Sequence, residues 1–152
     1  MIDEANRLLY VCSPYRGEVK RNKQYARELT RLAIDKGFLP VTVHLYITEA
    51  TDDNNEADRA IGMRAGQEIL DHCKYILIGE KYGLSQGMVA EIRRALDTGK
   101  IILTVAGENE DEISADVNVA RLDSLTKRIP EGWMIGQRGG EWADMPTMLP
   151  AT

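Results

Sequence analysis

Apolar positions along this chain fall into short continuous runs separated by amphipathic stretches. The run RLLYVCS, residues 7–13, ends in the turn signal SPYRG and predicts a buried strand. From 19 to 36 the spacing changes to three and four, with Asn22, Ala26, Leu29 and Ala33 on one stripe and Leu32 beside it. That predicts a helix, which Gly37 ends. FLPVTVHLY, residues 38–46, predicts a second strand with Pro40 near its start, and the polar loop TEATDDNNEAD follows. The next helix covers 55–73, its stripe being Ala57, Ile61, Ala65, Ile69 and Cys73 with Leu70 alongside. Gly62 and Gly66 lie four apart on it. Glycine is a poor helix former, so the pair points to close backbone packing or to the approach of a ligand. YILIG, residues 75–79, is apolar throughout, as a central parallel strand should be. MVAEIRRALDTGK reads as a third helix that Gly99 ends, and IILTVAG, residues 101–107, as a fourth strand.

Strands alternating with helices argue one α/β domain, a doubly wound, Rossmann-like parallel sheet flanked by helices. Ligands of such sheets bind beyond the carboxyl ends of the strands. The loops 13–17, 44–55 and 80–87 all follow strands, so the topology gathers them at one edge. Residues 1–107 form the expected core. Beyond Gly107 the pattern fades, with one short helix expected within ENEDEISADVNVARLDSL. The Gly- and Pro-rich tail carries Trp133 and Trp142. Residues 108–152 are therefore expected as an extension packing on the core or on a neighbouring subunit.

Composition narrows the function classes. At 152 residues and 43% hydrophobic content the chain suits one globular core. A net charge of -5 argues against a nucleic-acid polymer as partner, although it leaves a local basic patch open. Cys12 and Cys73 lack metal-ligand spacing and read as buried thiols of a reducing compartment. No apolar run approaches the roughly 18 residues of a membrane span. The opening MIDEANR is acidic and polar, unlike a secretion signal. A cytoplasmic protein with no membrane partner is expected.

Two loops carry candidate chemistry. SPYRGEVKRNK turns from the first strand into a helix whose start holds Arg16, Lys20, Arg21 and Lys23. Cations at a helix N-terminus oppose its dipole. They make sense either as a solvated basic face, partly balanced by Glu18 and Glu28, or as partners of an anion bound there. Neither a Walker lysine nor a G-x-G-x-x-G motif is present. In GLSQGMVAEI, Glu91 lies at the border of the stripe made by Met88, Ile92, Leu96 and Ala95. One reading pairs it with Arg94 on the surface. The other aims a partly buried carboxylate of perturbed pKa at the strand ends. Ser85 has a plain role as the N-cap.

The succession YVCSPYRG, PVTVHLY, a helix, YILIG and GLSQGMVAEIRRALDTGKII resembles the nucleoside 2-deoxyribosyltransferase-like superfamily. That superfamily holds transferases, nucleotide N-glycosidases and many small bacterial and phage members. The resemblance runs from about Leu8 to Leu103, and its most specific part is the small-x-Gly-x-x-x-Glu spacing of Ser85, Gly87 and Glu91. It implies a flavodoxin-like sheet. It implies Glu91 as the nucleophile that attacks the anomeric carbon and displaces the base through a glycosyl-enzyme. A serine at position 85, where enzymes taking free nucleosides carry aspartate, is similar to the branch acting on nucleoside 5′-monophosphates. Ser13, Arg16 and Gly17 resemble that branch's phosphate loop, and Ser85, Gly87 and Met88 complete the expected substrate-binding set. Tyr15 is implied to orient the nucleophile or to cover the sugar, and His44 is a candidate for the base pocket. No metal or cofactor is implied.

One departure stands out. The superfamily usually places an aspartate near the leaving base, on the helix before the third strand. Here its place falls around Gly62 or Met63, and the nearest acids, Asp58 and Asp71, do not match. The same helix offers Arg59 and Arg64 instead. The departure leaves open a module that binds a nucleotide without cleaving it. A glycohydrolase of an NAD-like dinucleotide is a further alternative, because a helix-borne glutamate on a similar sheet can attack that ribose too. The resemblance also implies a homodimer or larger homo-oligomer, with Trp133, Arg138 and Trp142 as candidates for completing a neighbour's site.

Overall fold

Strand β1 (Leu8–Cys12) is buried on both faces, as a central parallel strand must be. Leu9 and Val11 enter one hydrophobic cluster, while Tyr10 and Cys12 enter the other. Helix α1 (Val19–Asp35) covers the first cluster with Tyr25, Leu29 and Ala33. The second lies under α3 (Glu56–His72), α4 (Gln86–Asp97) and α5 (Val119–Thr126). The structure, a computed structural model, describes residues 2–52 and 54–127; the expectations for Trp133, Arg138 and Trp142 lie outside them.

The sheet has five strands in the order β2-β1-β3-β4-β5, formed with β2 (Leu39–Val41), β3 (Tyr75–Ile78), β4 (Ile101–Ala106) and β5 (Glu112–Ser114). The first four strands run parallel, with Leu9 opposite Tyr75 and Tyr75 opposite Ile101, and β5 is antiparallel to β4. This is the α/β architecture of flavodoxin-like and Rossmann-like sheets. All four residues of β3 are at most 2% exposed. Burying each of its aliphatic side chains contributes about 2 kcal/mol.

Two elements differ from their sequence pattern. The run at 38–46 is not one strand. Only Leu39–Val41 pairs with β1, after which Val43–Leu45 forms a 3-10 turn and Ile47–Ala50 a short helix, α2. Val43 and Ile47, four apart, both pack into the core, a helical spacing that begins inside the largely apolar run and ends just beyond it. The inward face of α3 is also rotated from the expected stripe. Ile61 is 58% exposed, while Gly66, Gln67 and Leu70 are buried. The reason is the close passage of α3 over the centre of the sheet, which selects a small residue where an apolar count looks for a large one.

The segment after Gly107 joins the same body. β5 extends the sheet and α5 packs on α4, where the Arg93 guanidinium donates to Asp123 (2.8 Å) and Thr126 (3.2 Å). Arg121 on α5 reaches Glu80 in the loop after β3 at 3.0 Å. Cys12 and Cys73 are buried free thiols. No helix among the described residues is long and apolar enough to cross a membrane.

Candidate active site

The strand order reverses direction between β1 and β3, and a cavity opens there, beyond their carboxyl ends. Its walls come from the SPYRG loop, the 3-10 turn with α2, the outer turns of α3 and the start of α4. The three loops that the topology was expected to gather do meet here.

Glu91 forms the floor. The Tyr10 hydroxyl donates to its Oε2 from the adjacent strand. Burial pushes the Glu91 carboxyl up to about 7, while hydrogen bonds from Tyr10 and from the Cys12 thiol pull it the other way. Burial, together with the Glu91 charge and hydrogen bond, holds the Tyr10 hydroxyl well above the usual phenol range. Tyr10 therefore remains a donor at any pH the protein would meet. The backbone of α3 closes the third side. A Cβ at Gly66 would lie 3.0 Å from the Tyr10 oxygen and 3.6 Å from Glu91 Oε2. Close backbone packing is thus what Gly66 provides.

The surface reading of Glu91 does not hold. Arg94, its expected partner, instead forks onto Asp71, with both N–O distances 2.8 Å. Arg93 turns to Asp97 and Asp123. Glu91 is left facing the cavity, one turn beyond the N-terminus of α4.

Hydroxyls, backbone and the Arg16 side chain meet at the rim beside α4. Ser85 caps α4, its Oγ accepting the Met88 N–H at 3.3 Å. That bond uses a lone pair, so the hydroxyl proton remains to be donated into the cavity that Ser85, Gly87 and Met88 line. Ser13 is only 1% exposed, and among the described residues its Oγ has no hydrogen-bond partner, although it lines the cavity. An unsatisfied buried hydroxyl costs about 1–3 kcal/mol, so this one is spent on something other than the fold. Asn22, buried on α1, fixes the loop by donating to the carbonyls of Tyr15 and Arg16, both at 3.0 Å.

Of the four cations at the start of α1, Arg16 lines the cavity. Arg21 stacks on the Tyr82 ring at 3.9 Å, and Lys23 pairs with Glu49. The expectation of a basic cluster around an anion thus narrows to Arg16. Gly17, at φ +89°, turns the chain into α1 and lines an adjoining polar hollow with Asp52 and Asn54 rather than the cavity itself.

Tyr15 does not hold the carboxylate; Tyr10 has that contact. Tyr15 stacks on His44, with ring centroids 5.2 Å apart, and the two form a flat wall. His44 sits on the 3-10 turn, not at a strand end, and donates from Nε2 to the Ser13 carbonyl at 3.0 Å. On α3, Gly62 and Met63 face the cavity without an acid. Asp58 lines it and accepts the Asp52 N–H at 2.8 Å, whereas Asp71 is engaged by Arg94 elsewhere. Arg59 and Gln67 also line the cavity. Sequence reasoning missed Tyr10 and Gln67. A tyrosine in a fully buried strand needs a partner for its hydroxyl, which was the available signal for Tyr10. A glutamine on the inner face of a helix was the signal for Gln67.

A search of curated proteins by sequence finds no match. A family profile does match, over residues 7–105, which spans β1 to β4 and so all the segments that wall the cavity. By that match the chain belongs to the family described as Domain of unknown function (DUF7768).

Proposed function

We propose that the protein cleaves the N-glycosidic bond of a nucleoside 5′-monophosphate, with Glu91 as nucleophile. The observation that carries this reading is a half-buried carboxylate, held by Tyr10, under a cavity rimmed by Ser13, Ser85 and the N-terminus of α4. Tyr10 occupies Oε2, which leaves Oε1 to attack the anomeric carbon. The carbon–nitrogen bond breaks and its electron pair departs with the base, which takes a proton from water or a neighbouring donor. Water then opens the glycosyl ester, returning the Glu91 carboxylate and releasing the sugar 5-phosphate. At the other end of the substrate, the N-terminus of α4 and the two serine hydroxyls suit a phosphate, with Arg16 supplying charge. A serine at position 85 donates to that phosphate where a carboxylate would repel it.

The test is incubation with nucleosides and their 5′-monophosphates, followed by chromatography for free base, with Glu91→Gln alongside. Base release confined to monophosphates and lost in the variant is the expected result. No release from any of them by the intact protein would end this reading. A second reading, a module that binds a nucleotide without cleaving it, is favoured by Gly62 and Met63 standing where the superfamily carries its acid, with Asp58, the acid of α3 that lines the cavity, one turn away and accepting the Asp52 N–H. Under it, Glu91→Gln would leave nucleotide affinity unchanged.

A further inference from the structure

Two glycines interrupt α3, and only one of them is explained by packing. At Gly66 a side chain would collide with Tyr10. At Gly62 a Cβ would meet nothing nearer than Ile47 Cγ2 at 4.0 Å. Its φ lies outside the left-handed range, so the backbone does not require glycine there either. The helix thus accepts glycine's poor propensity at position 62 with no return to the fold. What Gly62 borders is the cavity.

Its place in the cavity is defined by helix geometry. Gly62 is four residues before Gly66, on the same face and about 6 Å along the axis. Gly66 abuts Glu91. A ring leaving an anomeric carbon held over Glu91 would extend over about that distance. Around Gly62 stand Ile47 and Met63, and the stacked Tyr15–His44 pair walls the same cavity: apolar and flat surfaces suited to a planar ring. The unsatisfied, buried Ser13 hydroxyl is an independent sign that this cavity is built for a ligand.

We propose that Gly62 is the specificity-determining residue of the cavity, its missing side chain making room for a fused two-ring, purine-type base. The proposal rests on the reading of the cavity as a nucleotide site and adds which base it takes. A one-ring base would leave the space beside Gly62 empty. A side chain at 62 would fill that space and turn the preference towards pyrimidines.

The experiment compares the wild type with Gly62→Ala and Gly62→Leu, using purine and pyrimidine nucleoside 5′-monophosphates as probes. Thermal shift reads binding and chromatography reads base release. The wild type should prefer purine nucleotides. Gly62→Leu should lose at least tenfold in purine affinity while sparing pyrimidines. Both variants, without ligand, should melt no lower than the wild type, because alanine and leucine are better helix formers. An unchanged purine-to-pyrimidine ratio in Gly62→Leu overturns the proposal, as does a wild type that binds neither class. Base release with an unchanged ratio would sink this proposal and leave the glycosidase reading standing. Purine binding that depends on Gly62 without any base release would do the reverse.

Discussion

Tyr10 donates its hydroxyl proton to Glu91, joining the middle of β1 to a helix residue 81 positions later in the chain. The bond favours the charged carboxylate against burial, which favours the neutral acid. Tyr10→Phe removes the donor and keeps the ring. The Glu91 pKa should rise further above about 7. If the carboxylate is the nucleophile, the acid limb of the pH–rate profile should shift upward, and the rate near neutrality should drop roughly tenfold or more. Titration of Glu91 by carbon NMR would read the shift without any substrate. An unchanged pKa would sink the argument.

Stability should follow the same proton. The folded pKa of Glu91 is raised from 4.5 to about 7, so the folded state holds its proton more tightly than the unfolded chain. The contribution is fully present below about 4.5. It declines as the pH rises towards 7, and above 7 the buried charge is a constant cost of up to about 3 kcal/mol. Glu91→Gln should therefore raise the melting temperature relative to the wild type at pH 8 and much less at pH 4.5. Thermal melts at the two pH values check it, and equal shifts at both would refute the burial argument.

The two serines should separate stability from binding. Ser85→Ala removes the cap of α4 and should cost about 1 kcal/mol of stability. Ser13→Ala removes a buried hydroxyl that has no partner among the described residues, so its stability should hold or improve. Both should weaken binding of a nucleoside monophosphate if both face the phosphate. Denaturant melts together with titration calorimetry would show whether Ser13→Ala combines a sound fold with a binding defect.

Two glycine variants should fail in different ways. Gly66→Ala puts a methyl 3.0 Å from the Tyr10 oxygen and should disturb the Tyr10–Glu91 contact while the fold survives. Gly79→Ala puts a methyl 2.6 Å from Leu29 Cδ1 and 2.8 Å from the Tyr25 hydroxyl. Such overpacking at the face covered by α1 should cost about 1–3 kcal/mol. Chemical denaturation separates them: a stability loss only at Gly79, and a displaced Glu91 titration only at Gly66.

Much of the architecture is legible in the pattern of residues. The period of α1, the unbroken apolar run of β3 and the turn into α4 are each set locally by side chains that also meet their tertiary partners. The run at 38–46 was ambiguous, because Val43, with Ile47 just beyond the run, serves a helical turn while Val41, Thr42, Val43 and Tyr46 are also good strand formers. Residues 112–114 were too few and too polar to announce an edge strand. At the site, the small-x-Gly-x-x-x-Glu spacing pointed to Glu91, but periodicity alone could not distinguish a surface ion pair from a cavity floor. That choice depended on Asp71 drawing Arg94 away, a contact between separate helices. Tyr10 was hidden for the complementary reason: a buried strand residue looks like core until its hydroxyl is accounted for.

Among the described residues both margins of the sheet are three-residue strands, and β2 carries Pro40, which has no N–H to offer. Neither margin is a long template that a stray extended segment could copy. The apolar strands β1 and β3 each lie between two neighbours in the sheet. Self-association through a continuous sheet is therefore disfavoured at the described margins. A partly unfolded form that has shed β2 would lose that protection first and expose the flank of β1. Resistance to fibril formation should accordingly track how firmly this short strand stays docked.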